Sequence, residues 1–284
     1  MILADKGYDV WISNTRGTEY SRRHQYLDPN AREFWYWTWD HLAKYDLPVL
    51  IDLVFKTTGQ KVHFVGHALG SLLCLAALAE GNVGVDKVRS AALLSPTVYA
   101  SHMTSILVKA AVKLHIAEHL MVQTVCFSLL MVQMSEWLRD LPLNGKNCCI
   151  NSAAIRHFAE SGMQSTSIRN LKHLSQNVRH GTLEKYDYGN AEVNMQHYGR
   201  RKPPLYDLSR IPKNLPVFIS YGGADQMADT ADVKVLLGEL KPALNTDMLR
   251  VQYVPNYAHY DFIMGLNANH LVYTQLIAFL DPLK

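Results

Sequence analysis

One stretch constrains this chain more than any other. Val62-His63-Phe64-Val65 is a short β run, Gly66-His67-Ala68-Leu69-Gly70 follows it, and small and aliphatic residues then continue from Ser71 to Glu80 in a helical pattern. A strand that reverses into a helix within five residues forces its middle residue into a strained turn. Side chains at the two flanking positions would collide with the neighbouring strand and helix, which is the steric reason for two glycines. The turn also places a helix N-terminus, with its free N–H groups, beside the middle residue, where negative charge can be stabilised.

The rest of the chain supplies what such a turn requires. Tyr8 to Ser13 reads as a strand, rich in β-branched and aromatic residues, and Asn14-Thr15-Arg16-Gly17 as its turn. Leu42, Tyr45, Val49, Leu53 and Phe55 approximate a 3.6-residue period, which predicts a helix from Asp40 to Lys56. Val88 to Leu94 is a further strand stopped by Ser95-Pro96, and the segment from Val217 to Tyr221, ending in Gly222-Gly223, is another. A helix over 232–240, a strand from Leu249 to Val254 and a helix from Asn267 to Leu280 complete the alternation. The region between Thr97 and Tyr206 is helix-rich and lacks that alternation, and Pro203-Pro204 closes it. The expected fold class is therefore α/β: a mostly parallel sheet flanked by helices, with a helical cap inserted. Residues 1–96 form the first part of the core, 97–205 the cap or lid, and 206–284 the second part.

Composition excludes several classes. With 284 residues, 48% hydrophobic, and a net charge of +3, the chain can bury a large core and shows no basic stripe for nucleic acid. Cys74, Cys126, Cys148 and Cys149 have neither zinc spacing nor the density of a disulfide scaffold. A bridge from Cys126 to Cys148 or Cys149 is one reading, and buried free thiols are the other. The apolar stretch at the N-terminus is too short for a signal peptide, and the most apolar internal stretch, Leu120 to Met134, contains glutamines and reads as a buried or interfacial helix.

The strand–turn–helix at Ala68 has the layout of the nucleophile elbow, G-x-S-x-G, of α/β-hydrolases. Tyr8-Asp9-Val10-Trp11, Asn14-Thr15-Arg16-Gly17, Glu33-Phe34-Trp35 and Lys44-Tyr45-Asp46-Leu47-Pro48 resemble the acid lipase family, which includes gastric and lysosomal acid lipases and their plant relatives. Gly222-Gly223-Ala224-Asp225, Ala228-Asp229 and Tyr257-Ala258-His259-Tyr260-Asp261-Phe262 extend the resemblance over nearly the whole chain, closest to the plant members. The resemblance implies an α/β-hydrolase fold, lipid esters (triacylglycerols or sterol esters) as substrates, and no cofactor. It implies a nucleophile at position 68, Asp225 as the acid and His259 as the base, in the chain order of the fold. It also implies Leu69 N–H as the first oxyanion donor. Partners would be lipid esters or acyl chains under the cap, with a membrane or lipid-droplet surface as a further contact. Family members are secreted or lysosomal, whereas no signal peptide is legible here.

The chain departs from the family at two places. Ala68 has no oxygen to attack an ester, and loss of a triad serine alone costs on the order of 10⁶ in turnover. No His-Gly strand precedes Tyr8 to give a second oxyanion donor, so the family's first strands are expected to be missing. Ser71 lies one helical turn past the elbow tip and points elsewhere. Three readings follow: a lipase-family member that is inactive or impaired, a non-catalytic acyl-lipid-binding pseudoenzyme, or a truncated form of an active lipase.

Other motifs are weighed against blander readings. His115-Ile116-Ala117-Glu118-His119 matches H-x-x-E-H, which on one helix would pair two zinc-ligand histidines, but no third ligand is evident and a polar stripe on a cap helix explains it. His67 is read as a packing residue. Met103, Met121, Met131 and Met134 suit ordinary core or an acyl-chain groove. Asn194 to Gly199 is read as the hinge where the cap rejoins the core.

Overall fold

A computed structural model describes residues 2–82, 84–119, 124–126, 145–146, 148–150 and 164–283. Its centre is a four-stranded parallel sheet of β1 (Val62–His67), β2 (Val88–Leu94), β5 (Val217–Gly222) and β6 (Leu249–Val254), in spatial order β1-β2-β5-β6. In the chain, but not in the sheet, helices and a small antiparallel ladder of β3 (Thr124–Cys126) and β4 (Ser165–Ser167) come between β2 and β5. The expected α/β class, a parallel sheet flanked by helices, is what the chain forms.

The central strands are buried on both faces, as parallel strands covered by crossovers must be. In β2, Val88, Ala91 and Leu93 face one core while Ala92 and Leu94 face the other. In β5 the same alternation divides Val217 and Ile219 from Phe218. The first core takes in α1 (Leu47–Thr58) and α2 (Leu69–Glu80). Helix α1 starts with Pro48 in its first turn, buries Leu47, Ile51 and Val54 at helical spacing, and stops at Gly59 with φ 71°. Helix α2 is buried from Ser71 to Ala79, which explains its lack of a polar face. The second core packs Val272, Leu276 and Leu280 of the C-terminal helix under β2 and β5. Arg16 clamps the Asn14–Gly17 segment onto this frame: its backbone N–H and its guanidinium both donate to the Asp46 carboxylate, the Nε bond at 2.8 Å.

One predicted strand does not form. Among the described residues Tyr8 to Ser13 forms no strand and joins neither sheet. Strand β1 is the edge of the sheet, and a cavity of about 740 Å³ separates it from this segment, lined by Tyr8, Trp11, Ile12, Phe64 and Val65 among others. β-branched and aromatic residues favour a pleated surface only where a neighbouring strand accepts their N–H and C=O groups. Here no described strand lies beside them, and Ile12 stays 74% exposed.

The elbow glycines are not equivalent. A Cβ on Gly66 would meet the Gly70 carbonyl carbon and Phe64 Cε1, both at 2.7 Å, so strand and helix could not approach as they do. A Cβ on Gly70 meets nothing within 4 Å. The expected clash therefore holds for Gly66 and is corrected for Gly70. Gly66→Ala should lower the unfolding free energy by about 1–3 kcal/mol through overpacking. Gly70→Ala should leave it unchanged or raise it by up to about 1 kcal/mol, the ordinary helix gain. Urea denaturation of the two variants beside the native chain checks the contrast.

Candidate active site

Three loops meet at the carboxyl ends of the parallel strands, where open α/β sheets place their sites. The first is the elbow. Ala68 follows β1 with φ 50° and ψ −114°, a conformation rare for a residue with a side chain. Its N–H donates to the Leu94 carbonyl at 3.1 Å, and its carbonyl accepts from Ser71 N–H at 3.0 Å. Leu69 opens α2, so its N–H has no intrahelical acceptor and stands in the positive end of the helix dipole. Ser71, wholly buried, donates its hydroxyl to the Gly66 carbonyl at 2.9 Å. It fastens the turn from below.

The second loop follows β5 and carries Asp225, 3% exposed. One carboxylate oxygen, Oδ1, accepts the N–H groups of Met227 and Ala228, both at 2.8 Å. The other, Oδ2, accepts His259 Nδ1–H at 3.0 Å and the Ser95 hydroxyl. Burial pushes the Asp225 carboxyl up, but the His259 imidazole and the bonds from His259, Ser95 and Ala228 outweigh it. The net shift is below the ordinary carboxylate range.

The third loop follows β6 and carries His259, 1% exposed. Gly222 and Gly223 let this loop lie directly over the second. A Cβ on Gly222 would come within 2.1 Å of the Tyr257 carbonyl, and one on Gly223 within 2.4 Å of the Pro255 carbonyl. Ala224 N–H bonds that same Tyr257 carbonyl at 3.0 Å. Asp261, fully buried, accepts from Ala258 N–H at 2.8 Å and so closes the turn around His259. A carboxylate only accepts, so His259 carries its proton on Nδ1 and leaves Nε2 as the basic atom.

Of the residues expected at a site, Asp225 and His259 are hydrogen-bonded, and Ala68 lies one residue from His67, whose Nε2–H donates to the His259 carbonyl at 2.8 Å. The two imidazole rings are 4.7 Å apart, so His67 packs on the site, as expected. Ser95 and Asp261 were not singled out for a role by sequence reasoning. Asp261 stood in view as part of the His259 motif, but a hydroxyl after a strand end gives no separate signal.

Other expectations change. Cys148 and Cys149 are bonded to each other, which leaves neither for Cys126; adjacent residues satisfy the pairing without closing a loop. Cys74 is a buried free thiol. His115 has φ 52° and stands outside the short helix Ile116–His119, so the two histidines do not share a continuous helical face. Glu118 is paired with Arg179 at 2.8 Å. Met103 is core, 3% exposed, whereas Met121, Met131, Met134 and most of the 120–134 stretch lie outside the described residues. The Asn194–Gly199 segment ends helix Ala191–Tyr198, where Asn194 ties Asp187 to Arg201 through its amide. Among the described residues no helix is long and apolar enough to cross a membrane.

A parallel sheet with an elbow after one strand, a buried acid after a later one and a histidine after the last is the layout of the α/β hydrolases. The α/β hydrolase fold family matches residues 2–115. More specifically, the chain belongs to the family of triacylglycerol and acid lipases. It is 44% identical to Triacylglycerol lipase 2 of Arabidopsis thaliana over 296 residues, covering 98% of this chain and 70% of that protein. It is 30% identical to Gastric triacylglycerol lipase of Homo sapiens over 302 residues, covering 100% of this chain and 74% of that protein. Among solved structures, a soluble variant of monoglyceride lipase from Saccharomyces cerevisiae shares the fold, with a TM-score of 0.59 at 15% identity over 90% of this chain and 73% of that one.

The packing of His67 sets a pH dependence. Burial lowers its pKa, the neighbouring His259 lowers it further, and the result lies at about 3, against 6.5 for a free histidine. The unfolded chain therefore takes up a proton as pH falls through 6.5, while the folded chain does not, and stability drops between pH 6.5 and about 3. At pH 5 this amounts to at most about 2 kcal/mol, reduced by the water that reaches His67 from the adjoining cavity. Urea midpoints at pH 7.5 and pH 5 should diverge less in His67→Gln, which keeps an N–H donor for the His259 carbonyl but cannot titrate.

Proposed function

We propose that this chain is a lipid-ester hydrolase scaffold whose acid–base pair is in place and whose nucleophile is lost. One observation carries the reading: the tip of the elbow keeps the strained backbone of a nucleophile position, φ 50° and ψ −114°, yet bears only the methyl of Ala68. A non-glycine residue in such a conformation costs about 1–3 kcal/mol. A turn selected only for stability would place glycine there.

In this reading Asp225 holds the His259 tautomer, His259 Nε2 is the general base, and Leu69 N–H is an oxyanion donor. With serine at 68, Nε2 would take the hydroxyl proton as the oxygen bonds the ester carbonyl carbon, then return it to the departing alcohol. Water would repeat the cycle to release the acid. With alanine at 68 no bond to the carbonyl can form, and the scaffold is left with binding alone. Relatives named as triacylglycerol lipases support acyl esters of glycerol as the ancestral substrates. Residues 97–205 would then cap the site and shelter the acyl chain. The retained Asp225–His259 pair favours recent loss of catalysis over a scaffold selected for binding, since a binder has no use for a tautomer lock.

The test is gain of function. The native chain should hydrolyse p-nitrophenyl butyrate no faster than buffer. Ala68→Ser should exceed it by several orders of magnitude, up to on the order of the 10⁶ that a triad serine supplies. It should also label with a fluorophosphonate, and His259→Ala should abolish the gained activity. Native turnover removed by His259→Ala would overturn the claim of a lost nucleophile. An Ala68→Ser chain that neither turns over ester nor labels would overturn the scaffold itself.

A further inference from the structure

The Asp225–His259 pair has a third member that the triad scheme does not include. Ser95 is the residue immediately after β2, and it is wholly buried. Its φ of 46° puts it with Ala68 and His115, the non-glycine residues of positive φ among those described. The sheet fixes that backbone: Ser95 N–H donates to the Ser220 carbonyl of β5 at 2.7 Å, one step beyond the last residue of β2. The hydroxyl is thereby aimed into the site. It donates to Asp225 Oδ2, and its oxygen lies 2.7 Å from His259 Nδ1.

The proton count allows one arrangement. The carboxylate has no proton to give, so the Ser95 hydroxyl is the donor to Oδ2. Its lone pairs then face Nδ1, which must carry a proton to satisfy either neighbour. The Nδ1–H is shared between Asp225 Oδ2 at 3.0 Å and Ser95 Oγ at 2.7 Å. Rotating the ring about χ2 would break both contacts. Turning the carboxylate instead would cost the Met227 and Ala228 N–H bonds on Oδ1.

We propose that Ser95 is a positioning residue: its hydroxyl, bridging Asp225 Oδ2 and His259 Nδ1, locks the imidazole in the Nδ1–H tautomer and leaves Nε2 as the basic atom. This deepens the reading of Asp225 and His259 as an acid–base pair and rests on it. Ser95 is not a substitute nucleophile. Its oxygen is on the Nδ1 side of the ring, opposite the basic nitrogen, its proton is committed to Asp225, and it is sealed from any ester.

The test uses the native chain, with its alanine at 68, labelled with ¹⁵N-histidine. NMR should show His259 as a single Nδ1–H tautomer with a strongly downfield, slowly exchanging proton. Ser95→Gly removes the hydroxyl and relieves the positive φ, so the variant should fold as well as the native chain. Its Nδ1–H signal should move upfield and exchange with water about tenfold faster. Ser95→Ala should show the same spectrum with lower stability, because it keeps the strain. An unchanged Nδ1–H shift and exchange rate in Ser95→Gly would overturn the proposal, and so would a glycine variant that fails to fold, since the role would then be structural. In an Ala68→Ser background, Ser95→Gly should lower kcat about tenfold with KM unchanged. If Ala68→Ser is itself inactive, the catalytic reading fails while the tautomer measurement still decides the role of Ser95.

Discussion

The whole site depends on the parallel ladder holding two neighbouring strands to an awkward ending. Strands β1 and β2 run side by side, and each is followed by a residue of positive φ, Ala68 after one and Ser95 after the other. Neither conformation is intrinsically stable. Each persists because the sheet over-determines it: Ala68 N–H is held by the Leu94 carbonyl and Ser95 N–H by the Ser220 carbonyl. The bonds step across the sheet from β1 to β2 to β5, so the geometry of the elbow is continuous with the ladder that fills the core. Two well-packed faces, Ala91 and Leu93 on one side and Ala92 and Leu94 on the other, keep that ladder in register and stabilise the strained turns at its end.

Much of this was legible in the sequence because it depends on near neighbours. The apolar run of Val88–Leu94 closed by Ser95-Pro96, the small-residue helix after the elbow, and the glycine pair before Asp225 all leave local signatures. What was not legible depends on partners far away in the chain. Tyr8 to Ser13 has strand composition, but a strand is a property of two segments, and the adjacent edge of β1 opens onto a cavity. The Cys148–Cys149 bond joins sequence neighbours, which neither a bridge to Cys126 nor free thiols anticipates. The elbow glycines look symmetric as letters, yet only Gly66 points its missing side chain at backbone. Ser95 reads as the end of a strand before a proline, and nothing local shows that its hydroxyl will meet residues 130 and 164 positions later.

The site separates two things that a serine hydrolase normally joins. One is the polar framework, in which both Asp225 oxygens are filled, His259 is oriented, and Asp261 and Tyr257 secure the loop between β6 and the site. The other is the single reactive oxygen. The framework is distributed over three loops and the ends of three strands, so most changes to it would leave a buried polar group unsatisfied and destabilise the fold. The reactive oxygen contributes nothing to that account. In the proposed reading, alanine in place of serine at position 68 takes away that oxygen and leaves the backbone strain where it was. On that reading, a scaffold of this kind would lose its reaction in one step while the Asp225–His259 pair persists, held in place by the same hydrogen bonds that keep the protein folded.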